Sequence, residues 1–145
     1  MANVFDVAKY ILEKYSTLTA MKLQKLVYYS QAWHAVWSEE PLFDNRIEAW
    51  ANGPVSPQLY NMHRGQFQID SRSFQWGDTN NLSPDQKDSI EATLVLYGDK
   101  PSQWLSDLTH MERPWIEARN GLQPGQISNK EITLASMVEY YSSLN

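Results

Sequence analysis

The chain has 145 residues, 42% of them apolar, with six Trp, eight Tyr, no Cys and a net charge of −5. That length suits one hydrophobic core, and the aromatic content excludes a disordered chain, which is poor in such residues. An acidic balance without a Lys or Arg run argues against a reader of DNA or RNA, which needs clustered cations against phosphates. The lack of Cys removes disulfides, thiolate metal sites and Cys nucleophiles.

The amino terminus, "MANVFDVAKY", lacks the apolar core of a secretory signal, and no segment is apolar for long enough to span a bilayer. A cytoplasmic, soluble protein is expected. The segment "NVFDVAKYILEKY" predicts a helix capped by Asn3, with Asp6 in its first turn and Val4, Val7, Ile11 and Tyr15 recurring at helical spacing. A second helix is predicted from a Thr19 cap to about Ser38, before Pro41. Leu23, Leu26, Val27, Ser30, His34 and Trp37 share one face of it. Lys22 and Lys25 fall off the centre of that face, and Tyr28 points about opposite to it.

Leu42 and Phe43 are expected to begin a short strand, with a turn at Asp44-Asn45. From Arg46 to Trp50 the chain alternates, Ile47, Ala49 and Ala51 facing one way and Glu48 and Trp50 the other. Asn52-Gly53 tolerates positive φ and Pro54 is expected to stop the ladder. Ser56 caps a third helix with Pro57 in its first turn, and Gly65 marks its end. Phe67, Ile69, Phe74 and Trp76 suggest short extended pieces under a polar loop. Ser83, Pro84 and Gln86 start a fourth helix with a capping box, burying Ile90, Leu94 and Tyr97 and closing at Gly98. A short helix follows Pro101; "THMERPWIEARNG" breaks at Pro114 and resumes to Gly121. A second capping box, Ser128 and Glu131, opens a last helix at about 129–143. The predicted fold is mainly α, compact, with one small β-hairpin.

Catalytic signatures are absent from this sequence: no G-x-S-x-G, no phosphate-binding Gly loop and no H-E-x-x-H. His34, His63 and His110 lack metal-ligand spacing, so no metal or cofactor is expected. His34 reads as a core histidine bonded to Glu48, Thr109 or a carbonyl, and His110 as a cation at a helix end. Glu112 and Trp115 are candidates for a recognition rim. The aromatic surplus, Tyr28 above all, points to a protein interface, where Tyr and Trp are favoured anchors.

The segments "MKLQKLVYYSQAWH", "PLF", "IEAWANGPVSPQLY" and "LTHMERPW", taken in this order, resemble the Panacea domain, also described as the SocA-like or GepA-like phage-associated family. The resemblance runs from about Phe5 to Arg119, so residues 1–145 are expected to form one such domain with the C-terminal helix packed on it. It implies an antitoxin that neutralises, by direct contact, a protein toxin encoded in an adjacent gene. Some members carry an added DNA-binding module; this chain has no room for one, so direct binding to nucleic acid is not expected. The resemblance supplies no catalytic set. Lys22, Lys25, Tyr28, Glu48, Trp50, Arg64 and Trp115 are the expected contact residues, the two lysines at the rim. Two other readings compete: a phage-derived adaptor that engages a host protein, and an enzyme pairing His34 or His110 with Glu48 or Glu112.

Overall fold

The computed structural model describes residues 2–144. Helix α1, Val4–Tyr15, begins as the sequence dictates. The Asn3 side chain accepts from the N–H groups of Phe5 and Asp6, and the Asp6 carboxylate returns to the Asn3 N–H. Strand β1, Thr17–Thr19, leads into α2, Ala20–Ser38, whose first turn is capped by Thr19. Every side chain of α2 from Leu23 to Ala35 is buried. A helix apolar on one stripe lies on a surface, whereas one covered all round lies inside. It ends at Glu39, which takes a left-handed conformation and donates to the Ala35 carbonyl.

Strands β2, Glu48–Trp50, and β3, Gly53–Val55, form a hairpin in which Glu48 faces Val55 and Trp50 faces Gly53. Helix α3, Pro57–His63, follows with Ser56 accepting from the Leu59 N–H and Pro57 in the first turn, where no donor is needed. Strand β4, Gln68–Asp70, returns to pair antiparallel with β1. Helices α4 (Pro84–Tyr97), α5 (Ser102–His110), α6 (Arg113–Arg119) and α7 (Leu134–Ser143) complete the molecule. The arrangement is mainly α. Helix α2 is its axis, with α1, α4, α5 and α7 packed on its sides.

Five sequence expectations are corrected. The hairpin turn lies at Ala51-Asn52 and not at Asp44-Asn45, and Pro54 sits within β3 opposite Ala49. Each of these sheets has only two strands, so β3 is an edge and loses nothing by lacking one donor. The last helix starts at Leu134 under a Thr133 cap. Residues Ser128 to Ile132 instead run along β2: Ala49 donates to the Lys130 carbonyl and Ile132 to that of Ile47. Tyr28 is buried, because α7 covers the back of α2 and Tyr141 meets Tyr28 edge-on at 6.2 Å, with 3.0 Å between hydroxyls. Trp37, expected inside, is exposed and stacks on Trp33.

Candidate functional site: a half-open groove over Lys25

A cavity of about 630 Å³ opens between the start of α2, the β2–β3 hairpin, α3 and the segment before α7. Met21, Gln24 and Lys25 come from α2, Glu48 and Trp50 from β2, and Tyr60 and His63 from α3; Phe67 and Ile127 also line it. Strand alternation places these residues. Ile47 and Ala49 are buried beneath the hairpin, so Glu48 and Trp50 rise on the other face toward the groove. Trp50 packs edge-on to Tyr60 at 4.9 Å, and Tyr60 edge-on to His63 at 5.3 Å. Phe67 and Ile127 are 78% and 94% exposed, the kind of apolar surface that marks an interaction site when it adjoins a concavity.

Gln24 clamps the entry to α3. Its carbonyl accepts from the Ser56 N–H at 2.9 Å and its amide donates to the Ser56 carbonyl at 3.2 Å. The same amide nitrogen lies 3.0 Å from His63 Nε2, and an amide nitrogen only donates, so Nε2 is the acceptor of a neutral imidazole. Burial lowers the His63 pKa in the same sense, as does the charge of Lys25.

Lys25 is 1% exposed. Its Nζ donates to the Pro54 carbonyl at 3.2 Å, and burial brings its pKa down to about 7. The hairpin leaves a slot for it: a Cβ built on Gly53, whose φ is +121°, would stand 2.6 Å from Lys25 Cε and 3.0 Å from Thr109 Oγ1. No carboxylate of the described residues lies within ion-pair distance of Lys25. Glu48 is engaged elsewhere, accepting from Arg46 Nε and from Trp50 Nε1, each at 2.8 Å.

Beside the groove, Trp115 is buried, not at a rim. Its indole donates to the Trp50 carbonyl at 2.8 Å, with His110 stacked on one side at 4.2 Å and the Arg119 guanidinium 4.8 Å from the ring centre. Arg119 Nη1 donates to the Ala49 carbonyl and Nη2 to those of Gln123, Pro124 and Gln126, holding the loop before Ile127 against the hairpin. Glu112 is also inside: Oε1 accepts from Tyr29 at 2.8 Å and Tyr141 at 2.7 Å, and burial raises its pKa.

Of the seven expected contact residues, Lys25, Glu48 and Trp50 meet in the groove. Lys22 is half-buried, 5.7 Å from the Tyr15 ring centre, and Arg64 is exposed. Tyr28 and Trp115 belong to the core, and Lys25 is buried rather than peripheral. Gln24, Tyr60, His63, Phe67 and Ile127 also line the groove; Tyr60 belongs to the aromatic series that reads as core or partly a binding face, and the other four were not expected there. His63 follows Tyr60 by three positions on a well-capped helix, a signal that was present; Ile127 sits in a loop with no periodicity at all. The proposed catalytic pairs do not form. His34 Nδ1 bonds Ser89 Oγ at 2.8 Å, not Glu48 or Thr109, and no hydrogen bond among the described residues joins His34 or His110 to Glu48 or Glu112. Among the described residues no cluster of three His, Asp or Glu side chains can hold a metal, and no helix is long and apolar enough to cross a membrane.

Comparison with known proteins matches no curated protein and no solved structure. The family model described as antitoxin SocA-like, Panacea domain, matches residues 23–116, from the start of α2 through the hairpin and groove to the middle of α6. The chain belongs to the SocA-like antitoxin family of Panacea domains.

Proposed function

We propose that this protein is the antitoxin of a toxin–antitoxin pair and neutralises a protein toxin encoded by an adjacent gene by binding it directly in the cytoplasm, residues 1–145 acting as one domain without turnover. The observation that carries the contact surface is the juxtaposition of the aromatic groove with two largely exposed apolar side chains, Phe67 and Ile127, at its edge. Such a patch is where interface energy concentrates, in a desolvated centre ringed by polar groups. Trp50 and Tyr60 are the anchors, with Glu48 beside them in the groove and Arg64 and Lys22 outside it.

The test is co-expression with the product of the adjacent reading frame, followed by capture of one on the other. Phe67→Asp and Ile127→Asp each place a charge on an exposed position, so melting should stay within about 0.5 kcal/mol of the parent. Each should weaken capture by roughly tenfold or more, as the loss of an interface anchor does. A neighbour that is harmless when expressed alone, or that kills equally in the presence of this protein, defeats the reading.

A further inference from the structure

We infer that the floor of this groove is a carboxylate site, with Lys25 receiving the C-terminal carboxylate of a protein partner whose last apolar residues fill the space above it. The inference rests on the partner-binding reading of the groove and gives that partner a chemistry. An ammonium has three donors, and among the described residues Lys25 has one protein acceptor, the Pro54 carbonyl. Among the described residues no carboxylate stands within ion-pair distance of it. Gln24 on its own helix is neutral, His63 on α3 and His110 on α5 both have their proton affinity lowered by Lys25, and Thr109 spends its hydroxyl proton on Ser106. Arg119 on α6 acts on His110 in the same sense, and Asp107 against it. Glu48 is already bonded to Arg46 and Trp50. A buried cation without a counter-ion is costly to keep unless something supplies one.

Charge and lining together point to a chain end. Beside Lys25 the groove is lined by Met21, Trp50, Val55 and Tyr60, so a carboxylate brought to the ammonium is best accompanied by an apolar neighbour. A terminus enters once and carries its charge at the tip, a recognised mode of peptide capture.

The full-length protein is titrated with acetyl-Leu-Phe as the free acid, with the same peptide as its C-terminal amide, and with acetyl-Leu-Glu-Phe-amide, following the His63 ring signals by NMR. At about pH 6, where Lys25 carries its proton, the free acid should bind about tenfold tighter than the amide, as one charge-assisted hydrogen bond provides. That preference should shrink as the pH rises past neutrality, and Lys25→Met should abolish it. Equal binding of acid and amide, tighter binding of the glutamate peptide, no binding of any peptide at millimolar concentration, or a preference that survives Lys25→Met overturns the inference. The acid–amide comparison uses the unaltered protein and so does not depend on the variant folding. Failure here with partner capture intact removes only the carboxylate site; failure of both removes the reading beneath it.

Discussion

An ammonium withdrawn from water holds its proton weakly, and at Lys25 the folded chain releases it near pH 7 rather than near the ordinary 10.5. Between those values the unfolded chain binds the extra proton, so stability rises with pH from about 7 to about 10.5 and carries the whole penalty below 7. Lys25→Met should remove that slope. At neutral pH it should gain on the order of 4 kcal/mol from the lost penalty, less about 1 kcal/mol for the Pro54 carbonyl left without its donor. Urea unfolding at a series of pH values measures both. Gly53→Ala meets two obstacles at once, the positive φ and the Lys25 side chain. It should destabilise by about 2 kcal/mol or more, and adding Lys25→Ala should recover the steric part while leaving the backbone part. Gly53 was legible from the sequence because Asn-Gly-Pro constrains its own backbone. The burial of Lys25 was not, because nothing in a helix's own residues says what will be laid across its flank.

Helix α7 shows how far local pattern reaches. Ser128 and Glu131 satisfy the capping-box spacing, and so, more weakly, do Thr133 and Ser136; the structure uses Thr133, whose hydroxyl accepts from the Ser136 N–H. The first spacing is overruled because its backbone is recruited as an extended edge beside β2. Thr133→Ala should therefore cost about 1 kcal/mol in urea unfolding, whereas Ser128→Ala should leave the helix unaffected by circular dichroism. The caps at Asn3, Thr19, Ser56 and Ser83 were read correctly because each is a contest among a few neighbouring residues. The wheel for α2 misplaced Tyr28 because it treated one helix alone, and the helix that hides Tyr28 arrives from the far end of the chain. That contact is testable through Tyr141. Its hydroxyl serves both Tyr28 and Glu112, so Tyr141→Phe should cost roughly 1–3 kcal/mol.

Across the molecule, burial lowers the pKa of all three histidines. A base whose folded pKa lies below its unfolded one contributes stability that is complete above about 6.5 and is lost as the pH falls through the folded values. Thermal melts should therefore drop on mild acidification. Glu112, whose pKa is raised from 4.5, works in the opposite sense over its own window, because there the folded chain holds the proton; Glu112→Gln should steepen the acid loss. The mainly helical class was legible because periodicity and caps agree along the chain, whereas the groove was not, since it joins positions from Ala20 to Asn129 that only tertiary packing brings together. One part of that assembly has a mechanical consequence. Arg119 grips the hairpin at Ala49 with one nitrogen and the Gln123–Gln126 turn with the other, so neither can shift alone. A guest wedging Ile127 outward would tug the strand bearing Glu48 and Trp50, and the mouth would yield as a jaw about a fixed pivot, not as a loose flap.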